Sequence, residues 1–137
     1  MAFEFLEHPA DIGFRVHAAS LPELFTESAR ALIFLILDPC RIELQRQFHL
    51  RAEAGDSESL LVNWLNEVLY FVDSKRIALG GFEILKLHAT ELECLARGEP
   101  RDAIKHPAKL VVKAVTYHQL KIERTSEGWV ADVYVDV

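Results

Sequence analysis

The residues that could do chemistry sit at the two ends of the chain. Near the start, His8-Pro9-Ala10-Asp11-Ile12-Gly13 puts an imidazole, a turn residue, a carboxylate and a glycine in six positions. His8 and Asp11 are three apart, a spacing that lets both side chains reach one side of a turn, and Gly13 leaves room for a close backbone approach. At the other end, Asp132-Val133-Tyr134-Val135-Asp136-Val137 alternates, so Asp132, Tyr134 and Asp136 share one face of a strand. The main-chain carboxylate of Val137 adds an anion beside Asp136. If the last strand pairs beside the first two, three carboxylate groups converge. Such a cluster either stays in water or holds a cation, and oxygen donors suit Mg²⁺ or Ca²⁺. A solvated tail and an unrelated turn Asp account for the same spacing.

Other candidate chemistry is thin. Lys113-Ala114-Val115-Thr116-Tyr117-His118 is polar, but period two separates Lys113 and Tyr117 from Thr116 and His118. His17, His49, His88 and His106 are isolated, and none has metal-ligand spacing to another His or Cys. Asn63 and Asn66 read as polar-face residues of a helix. No GxSxG, HExxH, P-loop or dinucleotide-binding glycine pattern is present.

Positioning these ends falls to a regular series of elements. Residues 3–8 and 11–18 read as strands broken at Pro9, with Ile12, Phe14, Val16 and Ala18 on one face and Asp11, Gly13, Arg15 and His17 on the other. Ser20-Leu21-Pro22-Glu23 fits a capping box for a helix ending at Asp38-Pro39, its last turns apolar almost all round and so deeply buried. Residues 42–53 alternate as a strand. Gly55-Asp56-Ser57-Glu58 starts a second helix that runs to about Asp73, with Leu61, Trp64, Leu65, Val68, Leu69 and Val72 as its stripe. Residues 82–87 and 91–96 read as a hairpin. Residues 110–117, 118–123 and 129–137 are three further strands, with a turn at Ser126-Glu127-Gly128. The order β-β-α-β-α-β(n) predicts an α+β fold, a mostly antiparallel sheet covered by two helices.

Length and composition agree with one domain over 1–137. Half the residues are hydrophobic, which excludes disorder, and the net charge of -6 argues against a free-standing nucleic-acid binder. Cys40 and Cys94 lack metal or redox spacing and read as reduced thiols. The start does not look like a signal peptide, and the longest apolar run, Ala31 to Leu37, is far short of the roughly 20 residues of a membrane span. A soluble cytoplasmic protein is expected.

Several separated stretches together resemble the archease family over essentially the whole length. They are Phe5 to Gly13, Leu21-Pro22-Glu23-Leu24-Phe25, Leu60 to Tyr70, Gly98-Glu99-Pro100, Lys105-His106, Val112 to His118 and the closing Val135-Asp136-Val137. The sequence departs from the family at Pro9, where Thr is commoner, and at Ala18-Ala19-Ser20, where Gly-Asp-Thr is frequent. The resemblance implies a protein cofactor, not an enzyme. Archeases assist the RtcB-type RNA ligase of tRNA splicing and RNA repair, promoting its guanylylation and multiple turnover. The resemblance also implies that Asp11, Asp136 and Val137 bind a divalent cation and that Lys113 has a functional role. RNA would be met only through the ligase. His8 then supports the turn or contacts the partner. A general chaperone or interaction module is the alternative, and a small hydrolase using His8 and Asp11 is a third reading.

Overall fold

The computed structural model describes residues 3–8 and 11–137, without the side chains of Glu7, His8 and Asp11. The turn at Pro9 and Ala10 and the pairing of the His8 and Asp11 side chains fall outside the described residues. The elements are β1 (Phe3–His8), β2 (Asp11–Ala18), α1 (Leu21–Ile36), a 3₁₀ turn (Pro39–Arg41), β3 (Arg46–Glu53), α2 (Ser57–Asp73), β4 (Ile77–His88), β5 (Glu91–Pro100), β6 (Ala114–Thr125) and β7 (Gly128–Asp136).

The strands form two antiparallel sheets, β1-β2-β7-β6 and β3-β5-β4. The first and last parts of the chain thus share one sheet, and the central hairpin with β3 makes the other. Helix α1 packs on β2 and β4, and α2 packs on β3 and β6, so each helix touches both sheets. The fold is α+β, as the element order predicted.

Helix α1 starts with a capping box whose returning bond falls one residue before the N-cap Ser20. The Glu23 N–H donates to Ser20 Oγ at 3.3 Å, and Glu23 reaches back to accept from the Ala19 N–H at 3.3 Å. Helix α2 is capped by Asp56, which accepts from the Ser59 N–H at 2.8 Å. Where the helices meet, Trp64 is fully buried and its indole N–H donates to the Phe25 carbonyl at 3.0 Å. An indole can be buried this deeply because its one donor is satisfied. On β2, Phe14, Val16 and Ala18 are buried and Arg15 and His17 are not, as period two demands. At the end of α1, Leu32, Ile33, Ile36 and Leu37 are buried. Phe34 and Leu35 are only partly so. Phe34 lies beside the rings of Phe3 and Phe5, with the Lys109 ammonium 4.3 Å from its centroid.

Four strands differ from the prediction. β3 starts at Arg46, because Pro39–Arg41 turns and the Glu43 N–H bonds a side chain, that of Glu99, rather than a strand. β4 and β5 are longer than expected, with a register shift between Leu79 and Gly81. The predicted strands 110–117 and 118–123 are one strand, β6, preceded by an irregular 110–113. Its register on β7 slips between Thr116 and Lys121.

Candidate functional site

The register of the four-stranded sheet brings the two ends of the chain together. Ile12 pairs with Val135, Gly13 with Tyr134 and Arg15 with Asp132. Asp11 and Asp136 are therefore the next residues outward on adjacent strands. Opposite residues in antiparallel strands have Cα atoms about 4.5–5.5 Å apart. His8 pairs with Asp11 on one side and Ala114 with Asp136 on the other. His8, Asp11, Asp136 and Ala114 thus form one row across the end of the sheet. Asp136 is exposed and Val137 is half exposed.

Gly13 is needed in this arrangement. A Cβ there would meet the Val133 carbonyl oxygen and lie 2.8 Å from Tyr134 Cδ1. The glycine lets the Tyr134 ring settle over β2, and Tyr134 is only 5% exposed.

Asp132, grouped with Asp136 by strand periodicity, is otherwise engaged. Arg15 donates to it twice, at 2.7 and 3.0 Å, and also lies 3.7 Å from Glu4. The hydrogen bond and charge of Asp132 raise the Arg15 pKa. Asp136, by contrast, has no ion-pair partner among the described residues.

Next to Asp136 lies a shallow depression of about 330 Å³, lined by Thr116, His118, Tyr134, Val135 and Asp136. It is shaped by the slip in β6, where Gln119 adopts a left-handed φ of 51°. Thr116 holds the slip: its hydroxyl donates to the Tyr134 carbonyl and accepts from the His118 N–H, both at 3.3 Å. The His118 ring meets Tyr134 edge-on at 5.9 Å. Thr116 and His118, read from the sequence as ordinary strand residues, therefore belong to the surroundings of Asp136. Their polarity and shared face were visible; the pairing of β6 with β7 that sets them beside Asp136 was not.

Lys113 joins this end of the sheet by its backbone, donating its N–H to the Asp136 carbonyl at 2.7 Å. Its exposed side chain lies elsewhere, in a depression of about 190 Å³ with Asn66, Tyr70, Asp73 and Ser74. Asn66 fixes the start of β6. Its amide donates to the Val115 carbonyl at 3.1 Å and accepts from the Val115 N–H at 2.9 Å. Asn63 donates to the Glu53 carbonyl at 2.8 Å. Both asparagines are thus strand clasps rather than merely polar-face residues.

His106 is not isolated. It is 2% exposed, and its Nδ1 accepts from the Asp102 N–H at 3.0 Å. A backbone N–H can only donate, so Nε2 carries the proton and donates to Glu99 Oε2 at 2.9 Å. Glu99 also accepts from the Glu43 N–H at 2.9 Å and from Lys105 at 2.8 Å. These donors, the Glu43 N–H first, hold its carboxyl down to about 2. The cluster ties the irregular segment before β6 to the end of β5. Cys94 is buried, which pushes its thiol up to about 12, and Cys40 is exposed; both are free thiols.

A cation suits the chemistry of this row, since the Asp136 and Asp11 carboxylates are hard oxygen donors. Among the described residues, which do not include the Asp11 side chain, no group of three His, Cys, Asp or Glu forms a metal cluster. No helix among them is long and apolar enough to cross a membrane.

The sequence pattern of the archease protein family matches residues 3–137. The "Protein archease" of Methanopyrus kandleri is 39% identical over 140 residues, covering all of both chains. That of Pyrococcus abyssi is 39% identical, covering 98% of each. The solution structure of Methanobacterium thermoautotrophicum protein 1598 superposes with a TM-score of 0.83 at 28% identity, covering 99% of both chains. The chain belongs to the archease family.

Proposed function

We propose that this chain is a non-enzymatic protein cofactor that activates an RtcB-type RNA ligase, promoting its guanylylation and multiple turnover in tRNA splicing or RNA repair. The observation that carries this reading is family membership over residues 3–137. The geometry agrees with it. Asp11 and Asp136 occupy neighbouring register positions beside the exposed chain end, where a divalent cation, Mg²⁺ or Ca²⁺, would be held by Asp11, Asp136 and the Val137 carboxylate. When bound, such an ion supplies positive charge against phosphate oxygens.

The protein's own part is positional. The sheet register, Gly13 and the Thr116 bonds keep the acidic row rigid, and the Lys113 N–H holds the Asp136 carbonyl from the other side. An acidic tip fits a basic, nucleotide-binding mouth on the ligase, where complementary charge speeds encounter and fixes orientation. His8, at the same end of the sheet, would contact that partner or orient the turn. A cytoplasmic site of action is part of the proposal, and free thiols at Cys40 and Cys94 agree with a reducing compartment.

The test is guanylylation of the ligase with wild-type protein, Asp11→Ala and Asp136→Ala. Both variants are expected to lose stimulation while keeping their fold by circular dichroism. Unchanged stimulation by both sinks the acidic-tip reading.

A further inference from the structure

The cations of this acidic chain are unevenly used. Several are matched to carboxylates: Arg15 to Asp132, Arg30 to Glu27, Arg97 to Glu83, Lys105 to Glu99. At the C-terminal end of α2 they are not. Lys75, Arg76, Arg101 and Lys113 gather there, and among the described residues none lies within 4.0 Å of a carboxylate. Asp73 is the nearby acid, on the helix's last turn. With acids outnumbering bases by 21 to 15, four cations gathered beside a single acid need a reason.

Part of the reason is local. A helix C-terminus favours cations, and Arg101 donates to the Val72 carbonyl at 3.2 Å. That does not account for the rest. Arg101 Nε is buried and makes no hydrogen bond. Burial, then the nearness of Arg76, lowers the Arg101 pKa, and the charge of Asp73 offsets this only in part. Arg76 has a φ of 57°, the left-handed region that glycine usually fills at this point after a helix. An exposed side chain is kept there at a conformational cost.

An aromatic surface completes the corner. Tyr70 is 50% exposed and lines one depression with Lys113. The Lys75 ammonium lies 4.3 Å from the Phe71 centroid and 5.7 Å from that of Tyr70. Cations flanking an open aromatic ring are how proteins hold single-stranded nucleic acid, the charges on phosphates and the ring under a base. Lys113 ties this corner to the acidic row, since its backbone bonds Asp136.

We propose that the end of α2, with Lys75, Arg76 and Lys113 on phosphates and Tyr70 under a base, is a contact site for single-stranded RNA. A strand lying there would lead toward the acidic row. The protein would then touch RNA directly, rather than only through a ligase.

The test is fluorescence anisotropy of a labelled 12-nucleotide single-stranded RNA with the full chain and no ligase. Its failure therefore leaves the ligase reading standing. Three neutralised phosphates give a slope of about -2 in log affinity against log salt, so a fourfold rise in salt should weaken binding about 20-fold. Lys113→Ala and Tyr70→Ala should each weaken binding several-fold, and only the former should flatten the slope. Arg76→Gly should weaken binding while holding or raising Tm, since glycine relieves the left-handed backbone. No binding at about 10⁻⁴ M protein, the weak limit of non-specific affinity, overturns the proposal. So does binding that ignores Arg76 and Lys113. Equal or tighter binding of a Glu-rich peptide, indifferent to Tyr70→Ala, would assign the corner to an acidic protein segment instead. Binding of inorganic phosphate in a direct titration, without RNA affinity, would reduce it to a small-anion pocket and overturn the proposal.

Discussion

Replacing Asn66 by Ala tests how α2 holds the acidic row. The Asn66 amide makes two hydrogen bonds to Val115, at 2.9 and 3.1 Å, and Val115 is 4% exposed. A typical hydrogen bond contributes about 1 kcal/mol net, and a buried group left unpaired costs about 1–3 kcal/mol. Water can reach a partly buried site of this kind and recover some of the loss. A destabilisation of roughly 2 kcal/mol follows, or about 7 °C in Tm for a domain of this size. Urea unfolding should show a lower midpoint with an unchanged m-value, because the surface exposed on unfolding is the same. Amide exchange should speed up at Val115 more than at Val133, which lies deeper in the same sheet. Asn66→Asp keeps the acceptor but sets a carboxylate oxygen against the Val115 carbonyl, so it should be at least as costly at neutral pH. A loss below about 0.5 kcal/mol for Asn66→Ala, or a loss without faster exchange at Val115, would refute the clasp.

The Glu99 cluster gives a pH signature. The folded-state pKa lies below the usual carboxylate value of 4.5, at about 2, so the contribution is complete above about 4.5 and is lost as pH falls toward 2. The Tm difference between wild type and Glu99→Gln should accordingly be large at neutral pH and shrink across that window; a constant difference contradicts it. Gly13→Ala should cost roughly 2 kcal/mol in urea unfolding, since a Cβ meets the Val133 carbonyl and the Tyr134 ring. A neutral result would mean that Tyr134 moves aside freely.

Local signals carried most of the fold into the sequence. Ser20 and Glu23 announce a helix start because capping is a matter of three or four residues, and the structure forms those bonds. The alternation of Ile12 to Ala18 identifies a half-buried strand, and Phe14 and Val16 are indeed buried. Pairing between distant segments is another matter. Nothing local says that β3 joins β5 while β2 joins β7, so the split into two sheets was not foreseeable from periodicity. The same limit applies to side chains. His106 looked solitary because Glu99 lies across an irregular segment, and Asn66 looked like surface because Val115 is 49 positions away. Asp132 was assigned the correct face, but Arg15, which neutralises it, comes from a strand more than a hundred residues earlier. β6 was read as two strands because its slip at Thr116–Lys121 breaks the alternation that marks a strand.

That slip and the Asn66 clasp bear on how the molecule behaves in a crowd. β6 is the outer strand of its sheet, and an outer strand normally presents a row of unpaired N–H and C=O groups that a second molecule can extend. Here the backbone groups of Val115 are already taken by a side-chain amide that imitates a neighbouring strand. A few residues on, the left-handed turn at Gln119 bends the row out of line. No continuous template remains along this stretch, so self-association by strand addition is discouraged where the sheet is most open. Loosening the clasp would therefore raise the tendency to aggregate, even in molecules that stay folded.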